Sequence, residues 1–197
     1  MATIGLDSVY YSKITEDARG IETYAVPKYL APAITAELSI ENAEAKLYAD
    51  DRLEDFIGEF SGGSITMGFS DISAEVLKDL FGVMIDGNGV VTSTAEDESS
   101  PVAIGFRSKT SKKKYRYVWL FRVMFAVPSS GFETKNDGIT FKTPEIEGAI
   151  TARNKPLYNG KRPWKSEVTE GATGVSTAAI KDWFKQVYEP DPIGPQQ

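Results

Sequence analysis

Tyr115-Arg-Tyr-Val-Trp-Leu-Phe-Arg-Val-Met-Phe-Ala-Val127 is the stretch whose reading decides the fold. In extended backbone successive side chains point to opposite faces. Tyr115, Tyr117, Trp119, Phe121, Val123, Phe125 and Val127 then share one face, and Arg116, Val118, Leu120, Arg122, Met124 and Ala126 share the other. The first face is apolar throughout and the second mixes apolar groups with two guanidiniums. Strands usually run about 5–6 residues, so one this long crosses a barrel wall or continues into a neighbouring subunit.

Outward from this strand the chain keeps the same character. Residues 4–14 read as extended, with Val9 and Tyr11 on one face and Tyr10 opposite, and Pro27 and Pro32 punctuate the next segment. Ile34, Ala36, Leu38 and Ile40 alternate with Thr35, Glu37, Ser39 and Glu41, the pattern of a half-buried antiparallel strand, which resumes over 43–48 after a break near Asn42. Gly62-Gly63 reads as a turn before Ile65, Met67 and Phe69. Further strands are expected at Val102, Ile104 and Phe106, at Ile139 and Phe141, and over 146–150. Gly87-Asn-Gly89 lacks the Gly-Lys-Ser/Thr ending of a phosphate loop and reads as a hairpin turn.

Two helices interrupt the strands. Ser73 is placed to cap one that carries Val76, Leu77, Leu80 and Phe81 and stops at Gly82. Near the C-terminus Ile180, Trp183, Phe184 and Val187 have the i, i+3, i+4, i+7 spacing of a docked helix of about three turns. The expectation is a mainly β chain, a β-sandwich or barrel with one flanking α-helix and a short C-terminal helix, in a single domain over 1–189. Prolines at 190, 192 and 195 make 190–197 an arm or a free tail.

The composition excludes several function classes. The 197 residues include no histidine and no cysteine, which removes the commonest proton shuttle, thiol nucleophiles, disulfides and thiolate metal sites. Neither an enzyme nor a cofactor or metal site is expected. No apolar run reaches membrane-spanning length, and the first residues lack a secretory pattern, so synthesis in the cytoplasm and no membrane partner are expected. A net charge of −6 disfavours tight nucleic-acid binding.

The charge is unevenly placed. Asp50, Asp51, Glu54, Asp55 and Glu59 form an acidic stretch, and Arg107, Lys109, Lys112, Lys113, Lys114 and Arg116 a basic one. The pair Asp50 and Asp51 admits a general acid/base or metal-site reading, but charge runs are as a rule solvated, and an exposed acidic turn is expected there. Trp119, Trp164 and Tyr158 admit a carbohydrate-binding module, although Trp119 sits where core packing is the default and only Trp164 reads as a contact residue. The segment 44–62, with Tyr48 and Phe56 as apolar anchors, is a long excursion between strands, and such loops usually carry function.

Four motifs occur in order: Tyr48-Ala-Asp-Asp51 after the strand Glu37-Leu-Ser-Ile-Glu41, Val102-Ala-Ile-Gly-Phe-Arg-Ser-Lys109, Lys114-Tyr-Arg-Tyr-Val-Trp-Leu-Phe-Arg-Val123, and Phe141-Lys-Thr-Pro-Glu-Ile-Glu-Gly148. Together they resemble the major tail proteins of long-tailed bacteriophages, siphovirus type, over about 5–150. The resemblance implies a structural virion protein of the tail, assembled in the host cytoplasm, whose hexameric rings stack into a tube. The tube surrounds a tape measure protein, meets tail terminator and distal tail proteins, and passes DNA without binding it specifically. It also implies that one sheet joins its neighbours in an inner barrel, and that 44–62 is a stacking loop. Such a loop would carry Tyr48 and Phe56 to the next ring as apolar anchors, and by charge complementarity Asp50, Asp51 and Asp55 are expected to pair with Lys112, Lys113 and Lys114 of a neighbouring ring.

Overall fold

The computed structural model describes residues 3–49, 51–128 and 143–190. The described elements are β1 (Thr3–Glu16), β2 (Glu22–Tyr24), β3 (Lys28–Tyr29), β4 (Ala33–Ala49), β5 (Arg52–Phe69), α1 (Ala74–Phe81), β6 (Met84–Ile85), β7 (Val91–Thr92), β8 (Val102–Thr110), β9 (Tyr115–Phe125), β10 (Glu145–Ile150), β11 (Lys165–Thr169) and α2 (Thr177–Lys181). The chain is mainly β. Nine strands form one antiparallel sheet in the order β2-β1-β8-β9-β10-β5-β4, with β11 added beside β9 and β3 beside β1. The sheet folds over so that β4 comes against β1 without a ladder between them. The strand expected at Ile139 and Phe141, and the tail beyond Pro190, lie outside the described residues.

β9 holds the arrangement together, and its pairing departs from simple alternation. Val102 pairs with Val123 but Ile104 pairs with Leu120, so two steps on β8 oppose three on β9. The extra residue is a β-bulge at Phe121 and Arg122, which reverses the strand's facing. Val118 and Leu120 before it, and Val123 and Phe125 after it, all enter one core with residues of β1, β5, β8, β10 and α1. Tyr117, Trp119 and Phe121 point the other way into a second cluster. The expected continuous aromatic face is therefore corrected: it is split at the bulge, and the ladder spans 11 residues rather than thirteen. The bulge is also where β9 changes neighbours, from β11 up to Leu120 to β10 from Val123. Its backbone groups stay paired, because Phe121 N–H donates to the Trp164 carbonyl and Thr151 N–H to the Arg122 carbonyl, at 3.0 and 3.1 Å.

The second cluster is roofed by the C-terminal segment. Trp183 and Val187 are buried, and Phe184 stacks on Tyr10 with ring centres 4.7 Å apart. The Trp119 indole N–H donates to the Trp183 carbonyl at 2.9 Å. Gly105 makes room for that indole, since a Cβ there would sit 2.7 Å from the ring. The expected three-turn helix is corrected to the five residues of α2, after which N–H groups of Trp183 and Lys185 bond three residues back. The Trp183 carbonyl, which a longer helix would use internally, is committed to Trp119 instead.

α1 follows the sequence reading in its residues and in its stop at Gly82, but the expected cap is corrected: the Ser73 side chain makes no capping hydrogen bond. Ser73 takes the extended N-cap conformation, and Gly82 closes the helix at φ 74°, its N–H returning to Lys78 O. Asp79 ties this helix to the sheet, accepting hydrogen bonds from Tyr11, Lys28 and Lys13 at 2.8, 2.9 and 3.1 Å. The Gly87–Gly89 turn is a hairpin between β6 and β7, where Asp86 accepts from the N–H groups of Asn88 and Val90. Gly62 and Gly63, expected to form a turn, instead lie inside β5 opposite Glu41 and Ile40. There a bulge leaves Ser61 without a partner, and a Cβ on Gly63 would come 2.5 Å from the Ser39 carbonyl. The break expected near Asn42 is the other side of this bulge.

Trp183→Ala removes a buried indole from the second cluster and is expected to cost about 3–5 kcal/mol in urea unfolding. Burial of the Asp79 carboxyl opposes its ionisation, yet the hydrogen bonds from Lys28, Tyr11 and Lys13 outweigh it and hold the pKa at about 2, against 3.8 ordinarily. A depressed carboxyl stabilises the fold fully above its unfolded value, and that contribution fades as pH falls through the folded value. The urea midpoint of the native protein should therefore drop more steeply from pH 4 to pH 2 than that of Asp79→Asn.

Candidate assembly surfaces

The segment 44–62 is not a loop. β4 and β5 continue as a two-stranded ribbon from the Asn42–Phe60 pair to the Ala49–Arg52 pair, turning at Asp51 with φ 60°. Eight residues from Asn42 to Ala49, at about 3.3 Å each, make an arm of about 25 Å. At its root Phe60 stacks on Trp164, with ring centres 4.7 Å apart and planes 5° off parallel. Beyond Phe60 the described arm residues are exposed.

Strand pairing places the arm's apolar groups on both faces. Phe56 pairs with Lys46, whose ammonium lies 5.7 Å from the ring centre, and Tyr48 follows on the same face. Ile57 pairs with Ala45 and Leu47 with Asp55 on the opposite face. Phe56 is 49% exposed, and Leu47, Tyr48 and Ile57 are more so. An isolated two-stranded ribbon is marginal in water, and this one offers apolar surface on each side without covering either. Sequence reasoning found Tyr48 and Phe56 but missed Leu47 and Ile57, which the alternation of both strands carries. Asp51 and Asp55 are exposed on the same arm, and Asp50 lies outside the described residues.

The basic residues occupy a separate hairpin, as expected. Thr110 N–H and hydroxyl both donate to the Lys114 carbonyl at 2.8 Å, and Lys113 turns the chain at φ 61°. Arg107 is tied to Asp7 and stacks over Tyr115, 4.5 Å from its centre, while the Lys114 ammonium reaches the Gly171 carbonyl. Lys112 and Lys113 are exposed and make no ion pair among the described residues. No ion pair joins this hairpin to the acidic arm within the chain's described residues, so any pairing between them needs a second copy.

A third surface is the outer face of the β4-β5-β10 layer. Registers align Thr35, Gly68 and Glu145 in one row, Glu37, Thr66 and Glu147 in the next, and Ser39, Ser64 and Ala149 in a third. These rows carry carboxylates and small groups and no cation. β4, 17 residues long, is the outermost strand of this layer. On its inward side the alternation expected to be half-buried is more open, with Ile34 53% exposed and Leu38 and Ile40 above a third.

The other chemistries find little support in the geometry. Trp119 is fully buried, and Trp164 has one face against Phe60 and the Lys165 ammonium 5.0 Å from its ring centre, so neither offers a free sugar platform. This corrects the reading of Trp164 as a loop contact residue. Asp51 stands at the tip of an extended arm with no enclosing wall. The buried Glu22 is paired with Arg122 and accepts the Asn154 N–H at 2.9 Å, and Glu189 bridges Arg153 and Lys155, so these carboxylates act as ties between segments. Among the described residues no helix is long and apolar enough to cross a membrane.

Because the arm meets the body at its root alone among the described residues, Phe56→Ser should shift the urea unfolding free energy by no more than about 0.5 kcal/mol, as surface substitutions do. A larger loss would mean that the arm folds back on the body. Compared with known proteins, the chain matches no family model and no curated protein.

Proposed function

We propose that this chain is a tail tube protein, a structural subunit that self-assembles into stacked hexameric rings and conducts genome DNA through their bore. The observation that carries the reading is the arm, whose exposed Leu47, Tyr48, Phe56 and Ile57 have no partner on the body among the described residues. Apolar residues held on a projecting ribbon act by docking elsewhere. The resemblance of four ordered motifs to tail tube proteins supplies the kind of assembly.

Two further features support the reading. Among the described residues no strand pairs with the outer edge of β4, and an open edge of this length is a liability unless another chain continues the sheet. The outer rows of that layer bear Glu37, Glu145 and Glu147 without cations, which suits a wall that DNA slides along, because fixed cations would bind phosphates and slow transit. The tape measure, terminator and distal tail proteins are the partners this role requires.

Negative-stain microscopy and light scattering across concentration test the proposal. Rings or tubes with six-fold symmetry are expected, and a strictly monomeric species at high concentration, even with a tape measure partner, would overturn it. Phe56→Ser should leave single rings that do not elongate. Reversal of Lys112, Lys113 and Lys114 to Glu should likewise stop elongation, and added salt should shorten native tubes, since exposed charge pairs are screened.

A further inference from the structure

The sheet fails to close where β1 and β4 meet. Between Leu6 of β1 and Ile34 and Leu38 of β4 lies an open groove of about 470 Å³. Its floor is the inward face of β8 and β9, with Phe106 and Val118, and its lining carries two cations, Arg116 and Lys165, and two carboxylates, Glu37 and Glu167, of which Lys165 and Glu167 pair with each other at 2.9 Å. The Nε–H of Arg116 is shielded from solvent and has no hydrogen-bond partner among the described residues. A shielded, unmet guanidinium donor is costly and calls for an acceptor. The groove thus joins apolar walls to a guanidinium with one donor unmet among the described residues. Arg116 pairs across the ladder with Ser108, and the exposed Lys112 and Lys113 stand a few residues further along the same hairpin.

We infer that this groove receives the arm of a second copy of the same chain. This rests on reading the arm as the stacking element, and it names the surface on which the arm lands. The unmet Arg116 donor and the exposed Ile34 and Leu38 call for an occupant that carries acceptors and apolar groups together, and the arm does: residues 51–59 hold four carboxylates, Asp51, Glu54, Asp55 and Glu59, against the single Arg52. The arm also brings the apolar groups that Ile34 and Leu38 lack as partners. Its tip enters with Tyr48 and Phe56 against the apolar walls and a carboxylate at Arg116. The arm root is held at Trp164 by Phe60, and the arm runs outward from there with its residues exposed, so the groove and the arm of one chain are separate surfaces. A contact between two different surfaces is heterologous and propagates head to tail, as a stack of rings requires.

The absence of cysteine from the chain gives a clean test by thiol cross-linking. Glu54→Cys on the arm is mixed with Leu38→Cys or Ile34→Cys in the groove, or with Thr66→Cys on the outer face, and each mixture is assembled and treated with a short bis-maleimide. Heterodimers are expected with both groove variants and not with Thr66→Cys. Tubes that form but cross-link at neither groove position would overturn the groove while leaving the arm's role standing. Failure of the native protein to form tubes under any condition would overturn the tube reading itself. In parallel, Arg116→Glu should weaken elongation about tenfold or more, as expected for loss of a close charge pair, with the monomer's circular dichroism unchanged. Adding Asp55→Lys to Arg116→Glu should restore tube length, and a double variant no better than the single one would count against the pairing.

Discussion

The fold depends on how β9 passes through the bulge at Phe121 and Arg122. A strand that must serve two layers has to exchange one set of backbone partners for another without stranding a buried N–H or carbonyl. Here the exchange takes two residues, with Trp164 and Thr151 accepting and supplying the intervening bonds. The same step turns Val123 and Phe125 toward the core that Val118 and Leu120 already occupy. One inserted residue therefore decides both the sheet order and which side chains are buried together.

The polar residues near the bulge are arranged to suit it. Arg122 is directed to Glu16 and to the fully buried Glu22. A buried ion pair contributes little net stability, because desolvation offsets most of its attraction, but removing one partner leaves a charge that nothing satisfies. The pair thus specifies where β2 and the segment after β10 must sit more than it strengthens the fold. Arg153 does the same for the C-terminus, lying 4.7 Å over the Phe121 ring while it holds Glu189. The aromatic side of β9 is sealed by these contacts, which leaves the arm, the groove and the β4 edge as the surfaces open to another chain.

These surfaces are tolerable on one molecule because each is limited in a different way. The arm intersperses its apolar groups with carboxylates, the groove sets Arg116 and Lys165 beside Glu37 and Glu167, and the outer rows of the β4-β5-β10 layer are acidic. Like charge discourages two arms or two outer faces from meeting, while opposite charge favours the arm with the basic hairpin. Apolar contact alone would not choose among the surfaces. The distribution of the net −6 charge does.

Much of this was legible in the sequence, because period-2 alternation reports which residues share a face whatever the strand packs against. The strands at Val9 and Tyr11, at Ile65 to Phe69, at Val102 to Phe106 and at Ile146 to Ile150 could be read in this way, and turn chemistry likewise marked the stop of α1 at Gly82 and the turn at Asn88. The tertiary structure decided what alternation cannot express. A bulge has no composition of its own, so the reversal at Phe121 and the bend at Gly62 and Gly63 emerged only from register. The helical spacing of Ile180, Trp183 and Val187 correctly named the residues that pack, but α2 ends early because Trp119, distant in sequence, takes the carbonyl that a longer helix would need. Ile34 and Leu38 alternate as core residues do and remain exposed, since burial depends on whether a facing strand closes over them, and here β1 stops short of doing so.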